Sequence, residues 1–249
     1  MDRINFNSLP KEFIELYINS LDSSLSLGSM TLETYKLYGG YLTAFFMMNQ
    51  NKALHYTNKL IDPSKNKDSF YKFDLLYGTI DIAKLLSDEE IVDFRKIPIE
   101  VTGSKVERSP AYMIRDHGGT AFMDYLLSLN DLDMERGSID DDEYEEKYFE
   151  WEARLHIRLL HIHPFEDYNG RTARTVLTLN LIKNGYAPVI LSPENKKEYV
   201  SYIENSDYYG LRDFLRSESK KEEINMMLLY EDFKNKEELF SKNVKILKK

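Results

Sequence analysis

Two stretches of helical periodicity in this chain meet at a break that neither can cross. Residues 147–160 carry apolar side chains at Tyr148, Trp151, Leu155 and Leu159, with Ile157 and Leu160 beside them, which is the spacing of a helical face. Pro164 stops that pattern. A residue that precedes proline is pushed out of the α region, so His163 is expected just past a helix end, presented by a loop. Asn169-Gly170 is a turn signal. Periodicity then resumes at Val176, Leu177, Leu179, Leu181 and Ile182, and Asn184-Gly185 supplies a stop with glycine near the C-cap. The chain is thereby held to a helix–loop–helix with residues 163–174 at its joint.

The joint is rich in chemistry. Arg171 and Arg174 are expected in the first turn of the second helix, three residues apart and so on one face. A helix N-terminus presents unpaired backbone N–H groups and a partial positive charge, which suits anions. Asn169-Gly170 can shape an anion nest, and guanidinium groups bind phosphate bidentately. Asp167 is a hard oxygen ligand of the kind that holds Mg²⁺ together with substrate phosphates. His163 is the natural base to take a proton from an attacking hydroxyl. Phe165 reads as a buried anchor for the loop.

His163, Pro164, Phe165, Asp167, Asn169, Gly170, Arg171 and Arg174 together resemble the core signature of the Fic family, His-Pro-Phe-x-(Asp/Glu)-Gly-Asn-Gly-Arg-x-x-Arg. The resemblance runs from about residue 20 to about residue 215. It implies a mainly α fold: a Fic-like helical bundle with a β-hairpin flap. It also implies protein adenylyltransferase activity, the Mg²⁺-dependent transfer of AMP from ATP to a Ser, Thr or Tyr hydroxyl of a target protein. On that reading His163 is the base and Asp167 holds Mg²⁺. Asn169 and the Gly170 backbone steady the α-phosphate, and Arg171 and Arg174 hold the β- and γ-phosphates. Tyr199 falls where similar proteins place an aromatic beside the nucleotide base; a half-buried helix tyrosine explains it equally well. The chain divides into an N-terminal helical segment over 1–50, a core over 51–215, and a C-terminal helix with a Lys-rich, solvated tail over 216–249.

Ile97, Ile99 and Val101 alternate with polar residues, Thr102-Gly103-Ser104 reads as a turn, and Val106 lies on the return. The 97–108 stretch resembles the family's flap, which clamps the target by strand addition. Tyr168 is the departure, standing where the family has glycine. If the backbone there needs positive φ, a tyrosine costs about 1–2 kcal/mol. This position leaves open a transferase with a different donor, or a degenerate module that binds nucleotide or a partner without transfer. A kinase resembling the Doc branch is disfavoured, because that branch tends to carry Lys where this chain has Gly170.

Other readings fit less well. His156, His161 and His163 lie close together, but the spacing is not that of a helical zinc pair and the chain has no cysteine. Asp140-Asp141-Asp142-Glu143 invites a calcium loop, yet the sixth position is Glu145 rather than Gly and the twelfth is Trp151 rather than Glu, so a solvated lead into the next helix is expected. A formal charge of −9 argues against nucleic-acid binding. No apolar run reaches the length of a membrane span and the N-terminus lacks a signal pattern. A cytoplasmic protein is expected, with a homo-oligomer left open.

Many Fic proteins carry an inhibitory helix, (Ser/Thr)-x-x-x-Glu-(Gly/Asn), whose Glu pairs with the second motif arginine. Gly28-Ser29-Met30-Thr31-Leu32 resembles the segment that follows this helix when it is N-terminal, which places Ser26 where the Glu is expected. A serine cannot form the ion pair. Ser29…Glu33 and Ser219…Glu223 have the spacing but lack the Gly or Asn. The inhibitory glutamate is therefore expected to be absent. Labelling with radioactive ATP is expected to change little in Glu33→Gly and Glu223→Gly; strong activation of either variant would sink this reading.

Overall fold

A computed structural model describes residues 9–10, 12–14, 16–17, 20–21, 48–50, 52–53, 70–89, 92–115 and 140–247. The protein is mainly helical. Its elements include α1 (Phe70–Ser87), α2 (Ala111–Arg115), α3 (Asp141–Ile162), α4 (Asn169–Lys183), α5 (Lys196–Glu204) and α6 (Tyr208–Leu247), with further helical residues among 12–21 and 48–53. No described helix is long and apolar enough to cross a membrane. Ser26 and Glu33, weighed above for an inhibitory helix, lie outside the described residues.

Helix α3 is the axis. Asp140 caps it by accepting the Glu143 N–H at 2.8 Å, and Asp141, Asp142 and Glu143 fill its first turn. The acidic run is thus the start of a helix rather than a lead-in loop, placed where carboxylates favour the positive end of the dipole. From Tyr144 onward α3 buries residues on most of its circumference, packing against α6 and α4. Tyr148 stacks on Tyr186, with ring centroids 4.8 Å apart. Glu145, also buried, binds Arg216 at 2.5 Å and Lys220 at 3.0 Å, pinning α3 to α6.

Helix α4 ends as Asn184-Gly185 predicts. Gly185 has φ 81, its N–H reaches the Ile182 carbonyl at 3.1 Å, and the Tyr186 N–H reaches that of Leu181 at 2.9 Å. These are the two bonds of a Schellman motif. Between α5 and α6 the chain turns through 205–207, and Asp207 caps α6 by accepting the Gly210 N–H at 2.8 Å. Gly210 sits against the Tyr202 ring, with no room for a Cβ. Helix α6 continues to Leu247, through most of the stretch read as a C-terminal helix with a Lys-rich tail. Near the N-terminus, Phe13, Tyr17 and Leu21 pack with Ile182, Ala187 and Met226, and the Tyr17 hydroxyl donates to Glu222 at 2.8 Å.

The expected hairpin over 97–108 is not a paired one, since no strand occurs among the described residues. Its turn does form: the Ser104 N–H donates to the Val101 carbonyl at 3.0 Å across Gly103, whose φ of 83 suits the third position of a type II turn. The arms are held by a side chain instead of a ladder. Arg95 donates to the Ile97 carbonyl at 2.9 Å and also to that of Ser109, bridging the two ends of the segment.

One core group titrates oddly. Glu152 is 1% exposed and accepts the Tyr148 hydroxyl at 2.9 Å. Burial pushes its carboxyl up to about 8, against the opposing effect of the Tyr148 bond. As pH rises from the ordinary carboxylate value towards 8, the unfolded chain loses this proton and the folded one keeps it, so stability falls. Glu152→Gln keeps the shape and removes that dependence. Its melting temperature relative to the natural protein is expected to be higher at pH 8 than at pH 5; a gap independent of pH in thermal melts would contradict this.

Candidate active site

The joint read from the sequence is present. Helix α3 ends at Ile162, and His163 follows as its C-cap in the left-handed region, φ 50, ψ 64, with its N–H on the Leu159 carbonyl at 3.0 Å. The His163 Nδ1 lies 3.0 Å from the Leu160 carbonyl. A carbonyl only accepts, so Nδ1 carries the proton and Nε2 is left with its lone pair. Burial first, and then the charges of Arg108 and Arg95, lower the His163 pKa to about 4, although the Leu160 carbonyl and Asp167 pull the other way. The imidazole is neutral at neutral pH, as a base must be before it takes a proton.

The following loop is closed by one amide. Asn169 is buried, and its side chain pairs with the Phe165 backbone in both directions: Phe165 N–H to Oδ1 at 2.9 Å, and Nδ2 to the Phe165 carbonyl at 2.8 Å. Phe165 is buried against Phe94, with centroids 6.0 Å apart, and so is the anchor expected of it. The Asn169 side chain, expected at an α-phosphate, is spent on building the loop. Asp167 is exposed, and one of its oxygens accepts the Tyr168 N–H at 2.6 Å. Among the described residues no group of three or more His, Cys, Asp or Glu could hold a metal. The loop offers two exposed carboxylates, Glu166 and Asp167, as hard donors, which suits a cation bound mainly through phosphates and water.

Tyr168 is the N-cap of α4, with φ 64 and ψ 6. It is in the left-handed region that glycine adopts freely and supplies no side-chain cap, so the first turn of α4 keeps the anion-attracting character of a helix start. Its ring covers Arg171, whose guanidinium lies 4.3 Å from the ring centroid, and Arg171 is 1% exposed. Gly170 and Arg171 are in the first turn of α4. Arg174 falls one turn further on, because the helix starts at Asn169. Arg174 lies near His156, whose pKa is lowered to about 3 by burial and then by that charge. His156 in turn binds the Tyr199 hydroxyl at 2.6 Å and the Ala173 backbone. Tyr199, expected beside a nucleotide base, is 2% exposed and packs on Phe214, which is the position of a core residue. His161 is likewise committed, to the Ile203 carbonyl at 3.0 Å. Ser219 donates to the Ala187 carbonyl at 2.6 Å, so the Ser219…Glu223 spacing serves packing at its first residue.

Three residues absent from the sequence reading frame the site. Arg95 is buried beneath the loop, where its Nε donates to the His163 carbonyl at 2.6 Å. Arg108 reaches the Leu160 carbonyl at 3.3 Å and the Ser104 hydroxyl at 2.7 Å. Glu204, at the end of α5, accepts the Ser104 hydroxyl at 2.7 Å and the Lys105 N–H at 2.9 Å, mooring the tip of the 97–108 segment. Nothing in their sequence neighbourhood marks them, because their partners lie as far as 100 residues away.

The described helices thus hold a histidine at one helix end, a few residues before the arginine-bearing start of the next helix. A family model described as the Fic/DOC family matches residues 85–181. Proteins named protein adenylyltransferase Fic from Aedes aegypti and protein adenylyltransferase fic-1 from Caenorhabditis elegans are each 39% identical, over 64 and 74 residues. Those matches cover 26% and 30% of this chain but only 13% and 15% of the relatives' own lengths. Among solved structures, a Fic-domain-containing signalling protein from Bacteroides thetaiotaomicron aligns at TM-score 0.70 and 15% identity, covering 91% of this chain and 94% of that one. Fic-1 from C. elegans aligns at TM-score 0.63 and 20% identity, covering 93% and 69%. Residues 85–181 thus match the Fic/DOC family, and the fold is that of Fic-domain structures.

The left-handed Tyr168 makes a stability prediction. At such a position alanine keeps the strain and glycine relieves it, so Tyr168→Gly is expected to be more stable than Tyr168→Ala by about 1 kcal/mol. Urea denaturation of the two variants measures the difference, and equal midpoints would mean that no strain resides there.

Proposed function

We propose that the chain transfers AMP from ATP to a Ser, Thr or Tyr hydroxyl of a protein target, with His163 as the base. The observation that carries this is the state of His163, neutral and with Nδ1–H held by the Leu160 carbonyl, so that Nε2 is the acceptor. The target hydroxyl attacks the α-phosphorus while Nε2 takes its proton. The bond from that phosphorus to the bridging oxygen breaks, and pyrophosphate leaves. Mg²⁺, held by Asp167, would supply charge neutralisation between the phosphates. The backbone of Gly170 and the start of α4 face the developing charge, and the Arg171 and Arg174 guanidiniums take the β- and γ-phosphates. Asn169 serves by shaping the loop, and Tyr199 by holding His156. The 97–108 segment docks the target, its exposed Ile97 and turn offering an edge for strand addition. A cytoplasmic site of action completes the reading.

Tyr168 favours a second reading. Its ring covers the guanidinium that the triphosphate needs, which suits a transferase with another donor, or a module that binds without transfer.

ATP labelled at the α-phosphate is expected to label protein in the presence of Mg²⁺, and γ-labelled ATP is not. His163→Ala is expected to abolish labelling while retaining ATP binding. Label from the γ position alone would replace this function with phosphorylation; unchanged labelling in His163→Ala would remove the base. The His163 limb of the pH–rate profile is expected near its lowered value of about 4, leaving this group no role in any change between pH 6 and 8.

A further inference from the structure

Arg95 gathers backbone groups from several segments. It is buried, and its guanidinium is surrounded by peptide carbonyls rather than carboxylates: His163 at 2.6 Å, Ile97 at 2.9 Å, Ile162 at 3.2 Å, and Ser109. Its own N–H donates to the Pro164 carbonyl at 2.9 Å. Two of these acceptors belong to the last residue of α3 and its cap, two to the ends of the segment that carries the 97–108 turn, and one to the loop proline. The Ser109 N–H adds a further tie, to the His161 carbonyl at 3.3 Å.

We infer that Arg95 is a positioning residue. It holds the His163 backbone so that Nδ1 stays on the Leu160 carbonyl and Nε2 faces the reacting proton, and it fixes the arms of the 97–108 segment to the same point. The chemistry suits the task. The last carbonyls of a helix have no partner within it and carry the negative end of its dipole. A guanidinium offers five donors in a rigid fork and keeps its charge when buried. Lysine offers three donors on one atom and cannot span four carbonyls that diverge. Arg95 touches no reacting atom in this account, so it acts through His163. The catalytic half of the inference rests on the transfer reaction proposed above; the positional half does not.

The test has two arms. In the unmodified protein, ¹⁵N spectra are expected to show the His163 ring in its Nδ1–H tautomer and the Arg95 Nη groups as separate, slowly exchanging signals. An averaged Nη signal, or the other tautomer, would overturn the inference without any variant being made. In Arg95→Lys and Arg95→Gln, the kcat of labelling is expected to fall about 10- to 100-fold, with KM for ATP nearly unchanged, the tautomers mixed, and Lys less impaired than Gln. Equal loss of kcat and ATP binding, or a folded variant that labels at the natural rate, would reduce Arg95 to ordinary packing. If the spectra are as expected but no variant and no natural protein labels a target, the proposed transfer fails and the positioning stands.

Discussion

The C-terminal end of α3 is where this structure is held together. A helix end buried inside a bundle carries carbonyls that neither water nor the helix itself can satisfy, and leaving such groups bare costs about 1–3 kcal/mol each. Here two arginines from a distant extended segment satisfy them. Arg95 takes the Ile162 and His163 carbonyls, and Arg108 takes that of Leu160. His163 itself uses the same Leu160 oxygen to set its tautomer. The solvation of one helix end thus determines where the histidine points, where the 97–108 segment begins and returns, and how the two are related in space.

The loop that follows is built on the same economy of partners. Asn169 closes it by imitating a backbone pair with Phe165, and Phe165 drives its ring into the core beside Phe94. This leaves Asp167 exposed at the surface of the turn and the first turn of α4 directly behind it. Tyr168 tolerates a left-handed backbone because its ring gains contact with the core and with Arg171; a cation–π contact of this kind is worth about 0.5–2 kcal/mol. That gain is comparable to the strain it offsets. A left-handed position that suits glycine is therefore held by tyrosine at little net cost, with the consequence that Arg171 lies beneath an aromatic ring.

Much of this was legible in the sequence wherever a local rule governed. The helix end before Pro164 and the Asn184-Gly185 stop follow from backbone sterics, and the structure places them within a residue or two. The Phe165 anchor followed from an apolar residue in a polar loop. No strand pairing is seen over 97–108, since alternation over Ile97, Ile99 and Val101 reports only an extended chain; whether a partner strand pairs with it depends on groups elsewhere, here the Arg95 guanidinium. The resemblance implied a ligand role for Asn169 and, as one of two equal readings, for Tyr199. Neither type nor position shows that an amide is already used by Phe165, or a hydroxyl by His156.

The chain by itself determined the helix–loop–helix, the sign of the groups gathered at its joint, and the turn at Gly103, because these depend on φ, on proline sterics and on residues a few places apart. Only the tertiary structure decided that His163 is neutral, with its Nε2 left as the acceptor, that Arg171 lies beneath Tyr168, and that Arg95 joins two segments some 70 residues apart. Those properties come from burial and from partners that the fold alone brings within hydrogen-bonding distance, and no local pattern in a sequence records either.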